Sequence, residues 1–188
     1  MARPKSDERR SAIMAAAVRV IASQGLGAPT AAMAKEAGVS SGSLFTYFDT
    51  KAELFNALYL ALKEEMAATA LQGLPVESDV RAQMFQIWRN WVRWTAAFPD
   101  KRKALAQLTV SDDITSATRD AAQRATAGMA AFIERSRKDG PMANVPLAFV
   151  GSLMNGIAES TIDYMIADPA HADEHCVCGF DALWRVIA

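Results

Sequence analysis

The sequence predicts an all-α protein, with a small three-helix head, a larger helical body and about nine helices in total. Good helix formers, above all Ala, Leu, Met, Glu, Lys and Arg, dominate the composition. Apolar residues recur at spacings of three and four, and Gly or Pro interrupts this pattern at intervals. Hydrophobic residues make up 51% of the 188-residue chain and charged residues 22%, which is typical of globular domains rather than disordered or fibrous chains.

The head is predicted from three closely spaced helical segments. The first covers residues 7–23, where apolar residues recur on one face. A short second helix at 30–37 stops at Gly38, and Ser40 can cap a third helix at 41–48. Two short helices joined by a turn that contains Gly have the spacing of a helix-turn-helix.

The body is predicted as a series of helices separated by Gly- and Pro-containing breaks. Thr50 can cap the first of them, and Gly73, Gly140 and Pro169 lie in later breaks. The helices are predicted at 51–71, 78–97, 112–137, 145–167 and 173–187, with a short one after Pro99.

The sequence indicates neither a membrane nor a secretory pathway. Charged residues interrupt each apolar stretch before about 18 residues, and the N-terminus lacks an apolar signal segment. Cys176 and Cys178 stand one residue apart, too close to link distant elements. These features predict a cytoplasmic protein with reduced thiols and no membrane partner.

Charge is distributed unevenly along the chain. The net charge is −1, but residues 1–51 carry seven basic and four acidic side chains, a local charge of +3. The remainder carries 13 basic and 17 acidic side chains, a charge of −4. Phosphates respond to charge within a Debye length of about 10 Å, so a modestly basic head is compatible with nucleic-acid binding.

The segment 34–48 has the residues of a helix-turn-helix at the required spacing. Ala34 is small enough for two helices to cross closely, and Gly38 supplies the positive φ of the turn. Leu44 can seal the core beneath, while three serines at the start of the next helix can approach phosphate oxygens or base edges. The alternative is an ordinary helical hairpin in which Tyr47 only packs the head.

Through these residues the sequence resembles the TetR family of regulators, whose heads read Ala-Gly-Val-Ser, a small pair, Leu-Tyr-x-Tyr-Phe and then Lys. The match extends back through Ile13, Ala16, Ala17 and Gly25 and forward through Lys51 and Leu54, so the likeness covers roughly the first 60 residues. The resemblance implies a DNA-binding head over residues 1–52 and a ligand-binding and dimerisation body over 53–188. The helix at about 51–71 would link the two.

The resemblance also implies DNA contacts at nine positions. They are Thr30, Ala31, Ser41, Gly42, Ser43, Phe45, Thr46, Tyr47 and Lys51. Lys51 would meet a phosphate, and Gly42 lets the backbone approach the DNA closely. Two residues depart from the family pattern. Ala31 stands where a polar or basic residue is frequent, and Phe45 where Tyr is usual, so one hydroxyl-to-phosphate bond is missing.

By the same resemblance, a homodimer would place two recognition helices in successive major grooves of a roughly palindromic operator, about 34–36 Å apart. Arg3 and Lys5, on a flexible N-terminal arm, would add charge against the backbone or the minor groove. A small, largely apolar effector in the body would release a repressor by favouring another conformation. The same head suits an activator, and it identifies neither the effector, the operator nor the regulated genes.

The body contains candidates for an effector site. Trp88, Trp91 and Thr95 lie at helical spacing and are predicted to line a cavity between helices, with plain core packing as the alternative. Asn155 and Glu159 share one helix face and are predicted to face this cavity or a partner subunit.

The last two helices are predicted to form the dimer interface, because small residues permit close helix contact and the family resemblance implies a four-helix bundle there. The predicted interface residues are Ser152, Gly156, Ser160, Phe180, Leu183 and Trp184.

No catalytic motif, phosphate-binding glycine loop or cofactor motif occurs in the sequence, so we expect neither an enzyme nor a cofactor. His171, His175, Cys176 and Cys178 lie together near the last helix, and their pattern leaves a metal or redox role open while predicting none. The alternative to a regulator is a helical small-molecule-binding protein or enzyme that does not bind DNA, which would show no salt-dependent duplex binding.

Overall fold

The computed structural model describes residues 3–75 and 77–188, with side chains from Ser6 onward. These residues form ten α-helices and no strand, which confirms the all-α prediction. The helices are α1 (Arg3–Gln24), α2 (Thr30–Glu36), α3 (Ser41–Phe45), α4 (Lys51–Ala70), α5 (Val80–Ala97), α6 (Pro99–Thr109), α7 (Ser116–Ala125), α8 (Ala127–Arg137), α9 (Leu147–Ala167) and α10 (Ala172–Ile187). One turn of 3₁₀ helix, Pro169–His171, precedes α10.

The single helix predicted at 112–137 is wrong: the structure has two helices, α7 and α8, separated at Thr126. The start of α7 is delayed by hydrogen bonds from α4. The amide of Asn56 donates to the Asp113 carbonyl at 2.7 Å and accepts from the Thr115 N–H at 3.0 Å. The Thr115 hydroxyl then caps α7 through the N–H of Thr118 at 3.2 Å.

The chain packs as two compact units. Unit 1 comprises Met1–Lys63 and Phe98–Gln123, and unit 2 comprises Glu64–Ala97 and Arg124–Ala188. The division by function into residues 1–52 and 53–188 is a different one and remains a prediction.

Unit 1 is built around a core from its first four helices together with α6 and α7. The largest of its buried side chains are Ile13, Ile21, Met33, Leu44, Phe48, Leu54, Phe55 and Leu58. Gly25 and Gly38 end α1 and α2 with φ of 80° and 70°, the left-handed conformation that favours glycine. The predicted role of Gly38 in the turn is therefore confirmed.

Unit 2 packs α5, α8, α9 and α10 around a second apolar core. Its buried side chains include Met84, Trp88, Val92, Val150, Met154, Ile162, Phe180 and Leu183. Trp88 lies fully buried, and its indole N–H donates to the Cys176 carbonyl at 2.9 Å, which ties α5 to α10. Among the described residues, no helix is both long and apolar enough to cross a membrane.

Candidate nucleic-acid interface

The α2–α3 turn is fixed by local hydrogen bonds that its sequence dictates. The N–H of Gly38 donates to the Lys35 carbonyl at 3.1 Å, and that of Val39 to the Ala34 carbonyl at 2.9 Å. The Ser40 hydroxyl accepts the N–H of Ser43 at 3.1 Å and so caps α3, as predicted.

The inner face of this helix pair is apolar and tightly covered. Met33 and Ala34 on α2, and Leu44 and Phe48 on or after α3, are each at most 1% exposed. Ala34 occupies the crossing, where a larger side chain would push the helices apart. Helix α3 ends at Phe45 rather than at the predicted residue 48. The N–H of Phe48 nevertheless donates to the Leu44 carbonyl at 3.1 Å, so the helical turn continues beyond Phe45.

The outer face is formed by the residues that the sequence singles out for DNA contact. Ala31, Ser41, Gly42, Phe45 and Thr46 are exposed, and Thr30, Ser43, Tyr47 and Lys51 are half-buried. All nine belong to unit 1, at the start of α2, along or just after α3, and at the start of α4. Since none is fully buried, each side chain or backbone position retains surface for a partner.

A capping arrangement fixes the start of α4, where Lys51 is the first residue. The Thr50 hydroxyl accepts the N–H of Glu53 at 3.0 Å, and the Glu53 carboxylate accepts the N–H of Asp49 at 2.6 Å. The Lys51 ammonium lies 5.3 Å from the centre of the Phe55 ring. Lys51 therefore stands on an anchored helix end.

The other basic side chains described in unit 1 differ in whether a carboxylate already neutralises their charge. The Arg10 guanidinium stacks on Phe48 at 5.0 Å from the ring centre, which leaves its charge available. Arg19 forms an ion pair with Glu36 at 2.6 Å. Arg3 and Lys5 belong to α1 rather than to the flexible arm expected for them, and their side chains lie outside the described residues.

Unit 2 contains a small apolar cavity of about 10 Å³, close to the space that one water molecule needs. Its lining residues are Met84, Ile87, Trp88, Trp91, Met129, Ile133 and Met154. Trp88 and Trp91 meet edge to face there, with ring centres 5.9 Å apart. Both tryptophans thus lie where the sequence predicts a cavity.

The other three predicted ligand-binding residues do not line this cavity. Thr95 is buried, and its hydroxyl donates to the Trp91 carbonyl at 2.9 Å. Asn155 and Glu159 lie on the exposed face of α9. Met129 and Ile133 on α8 complete the lining, and no sequence pattern indicates them because their helix is brought to α5 only by tertiary packing.

The six residues predicted for the dimer interface divide into three groups by exposure. Ser152, Gly156 and Ser160 are exposed along α9. Phe180 and Leu183 are 2% and 0% exposed and belong to the core of unit 2, so their assignment to an intersubunit surface is corrected. They have almost no surface left to bury against a partner.

Trp184, the sixth predicted interface residue, is half-buried, with its ring centre 5.8 Å from that of Phe180. Sequence reasoning missed four exposed apolar side chains of α9 and α10. They are Phe149, Tyr164, Ile166 and Val177. Periodicity marks α9 as apolar, but it does not separate the side that packs in the core from the side left exposed.

A polar cluster joins the end of α9 to the start of α10. The Asp168 carboxylate lies 2.9 Å from His171 Nδ1 and 3.2 Å from His175 Nε2. The hydrogen bond to Asp168, together with the charges of Asp168 and Glu174, raises the pKa of His171. Burial raises the pKa of the Cys176 thiol, which disfavours the reactive thiolate. The described residues contain no group of three such side chains placed to hold a metal ion.

Comparison with known proteins links this architecture to one family. Residues 13–58 match the sequence model of "Bacterial regulatory proteins, tetR family". A tetR family transcription regulator from Shewanella sp. PV-4 has the same fold, with a TM-score of 0.82, 26% identity and coverage of 94% of this chain and 96% of that one. A TetR family regulator from Marinobacter aquaeolei VT8 shares the fold at 21% identity, with a TM-score of 0.84 over 97% of this chain and 96% of that one.

A curated relative is the nucleoid occlusion factor SlmA of Marinomonas sp. (strain MWYL1), which is 28% identical over 118 residues. The match covers 63% of this chain and 58% of that protein, so the chain spans less than two thirds of its relative's length. The match over residues 13–58, the helix-turn-helix and the all-helical fold shared with these regulators together support a TetR family transcription regulator.

Proposed function

We propose that the protein is a homodimeric repressor that binds a palindromic operator through residues 30–51 and leaves it when a small, largely apolar molecule binds the body. The exposed face of the α2–α3 pair carries this proposal. Thr30, Ser41, Ser43 and Tyr47 keep accessible surface there, whereas Met33, Ala34 and Leu44 of the same two helices are packed in the core. Such a regulator acts in the cytoplasm.

The head has the features that operator binding requires. Hydroxyls and a glycine face outward from α3, and the ammonium of Lys51 stands at the adjoining helix start for a phosphate contact. No Arg, Lys, Asn or Gln occurs between Ser41 and Phe48, so we expect base recognition to rely on hydroxyl and apolar contacts. Two such heads, about 34–36 Å apart, would occupy successive major grooves.

The cavity in unit 2 supports an apolar effector. Its lining of methionine, isoleucine and tryptophan offers dispersion contacts, and flexible methionines can rearrange around a guest. At about 10 Å³ the cavity has to widen before it can hold an organic molecule. A ligand that binds only the widened form would favour that form, which is the requirement for allosteric release.

The exposed side of α9 supports self-association. Small residues at 152, 156 and 160 share it with the aromatic side chains of Phe149 and Tyr164, which are 53% and 65% exposed. Apolar rings beside small residues suit close packing of a second α9 across a two-fold axis.

A mobility-shift titration tests the proposal with duplexes from upstream of the protein's own gene and its neighbours, with nonspecific competitor and a salt series. We expect a specific shift that weakens as salt rises. Tyr47→Ala should lose affinity while circular dichroism and dimer mass stay unchanged. Lys103→Ala, which removes an exposed cation of α6 in unit 1, serves as its control. A folded dimer that shifts no fragment would instead favour a helical small-molecule-binding protein or enzyme without DNA binding.

A further inference from the structure

Phe45 is an aromatic side chain that folding leaves in water. It is 44% exposed, whereas Leu44 and Phe48 beside it are 0% and 1% exposed. Within the described parts of the chain, no other aromatic ring or cation lies against the Phe45 ring. The ring contributes little to the core and keeps surface that a partner outside the protomer can contact.

The exposed residues around Phe45 have short side chains or none. A Cβ built on Gly42 would meet nothing within 4 Å, so the space above Gly42 is open. The Thr46 hydroxyl donates to the Gly42 carbonyl at 3.2 Å, so its hydrogen is already used. Ser41, the remaining exposed neighbour, has a short side chain. Phe45 is therefore the large apolar side chain that the described part of α3 exposes.

The chemistry of α3 limits how it can discriminate bases. From Ser41 to Phe48 there is no Arg, Lys, Asn or Gln, so the two-pronged contacts to guanine and adenine are unavailable to this segment. Serine hydroxyls bond to several bases and discriminate weakly. The major-groove feature that attracts an apolar ring is the C5-methyl group of thymine.

We propose that the Phe45 ring packs against the C5-methyl group of a thymine in each operator half-site and sets a thymine preference at that position. This inference rests on the proposed operator binding. Removing one buried methyl group weakens binding about fourfold. The effect of a symmetric change in both half-sites is therefore roughly sixteenfold, since two separate contacts contribute additively to the free energy.

The test compares thymine with deoxyuridine, which lacks only the methyl group. An operator is first selected from random duplexes by the wild-type protein, and each thymine is then replaced symmetrically by deoxyuridine. We expect one position per half-site at which the affinity of the wild type falls about sixteenfold. Phe45→Ala should bind both versions of that position equally. Phe98→Ala, which removes a ring that is also 44% exposed but lies outside α3, should keep the wild-type pattern.

Two results would overturn the contact: indifference of the wild type to deoxyuridine at every position, or an unchanged deoxyuridine penalty in Phe45→Ala. If the alanine variant binds no duplex, Phe45→Leu replaces it. Phe45→Leu should bind the operator and still lose part of its affinity when thymine is replaced by deoxyuridine. Equal affinity of this variant for the two operators would contradict the proposal. A wild-type protein that selects no sequence at all would refute operator binding itself, which separates that failure from failure of the thymine contact.

Discussion

Gly179 of α10 lies directly against Thr161 of α9: a Cβ built on Gly179 would stand 2.1 Å from the Thr161 Oγ1 and 2.9 Å from its Cγ2. Thr161 is buried, and its hydroxyl donates to the Ile157 carbonyl at 2.8 Å. The two helices can therefore approach this closely only because position 179 has no side chain.

We expect Gly179→Ala to destabilise unit 2 by about 1–3 kcal/mol, the usual cost of overpacking a tight interior contact. Urea unfolding measures this change. In Gly151→Ala, the matched control on α9, the new Cβ meets nothing within 4 Å, so helix propensity alone should stabilise the protein slightly. Adding Thr161→Ala to Gly179→Ala should restore part of the stability. Equal stability of the two glycine variants would contradict this account.

Arg137 holds the α8–α9 loop from inside unit 2. It is 6% exposed; its guanidinium pairs with Glu134 at 2.8 Å and donates to the carbonyls of Met142, at 2.6 Å, and Val145. A lysine at position 137 lacks the planar set of N–H donors that lets the guanidinium reach all three partners. We therefore expect Arg137→Lys to lower the free energy of unfolding by about 2 kcal/mol.

Arg19→Lys is the control for Arg137→Lys, because the Arg19–Glu36 ion pair is about half exposed. Its destabilisation should stay below about 0.5 kcal/mol. Thermal denaturation of both variants provides the comparison. Similar destabilisation of the two would show that burial of Arg137 is not what makes its contacts stabilising.

The Asp168–His171 pair predicts a pH dependence of stability. The hydrogen bond to His171, and then that to His175, lowers the pKa of Asp168, while Asp168 raises the pKa of His171. The stability that the pair gains from His171 is fully present below about pH 6.5 and is lost as the pH rises through the raised pKa of His171. The stability gained from Asp168 is present above about pH 4 and is lost as the pH falls through the lowered pKa of Asp168.

Asp168→Asn should therefore lower the melting temperature most between about pH 4 and 6.5, with a difference from wild type that shrinks as the pH rises further. Melting curves across this range measure the difference. Asp120→Asn on the exposed face of α7 is the control and should show no such profile. A difference for Asp168→Asn that is constant with pH would show that the pair does not titrate as described.

We expect the Lys51 side chain to contribute to DNA affinity but not to folding stability. A cation in the first turn of a helix opposes the helix dipole, and this offsets the contact of Lys51 with the Phe55 ring, so removal of Lys51 from the start of α4 should leave stability nearly unchanged. Lys51→Ala should nevertheless weaken duplex binding and reduce the slope of log affinity against log salt by about 1 for each phosphate that is no longer neutralised. An unchanged slope would remove Lys51 from the interface.

The head was predictable because local chemistry determines it. Gly38 adopts the left-handed conformation that ends α2, Ser40 caps α3, and Leu44 faces the core, each as its residue type requires. These features depend on neighbours within a few residues, so a single sequence contains them. The nine residues assigned to DNA contact all keep accessible surface, but their contacts with DNA remain a prediction.

The body was less predictable because its details depend on partners distant in sequence. The interruption at Thr126 is accompanied only by Gly128, which lies inside α8, and Asn56 controls the start of α7 from another helix. Phe180 and Leu183 show an apolar face of α10, yet only the packed structure reveals that α5 and α9 already cover it. The cavity likewise needs Met129, which tertiary packing brings to α5.

The small cavity between Trp88, Met129 and Met154 also constrains kinetics. Any guest larger than a water molecule can enter only after the lining side chains have moved apart, so the opening motion precedes or accompanies capture. At high guest concentration the observed association rate should then level off at the rate of opening rather than continue to rise. The speed of response to an effector would be set by the protein's own motion, and methionines that rearrange easily would make it faster.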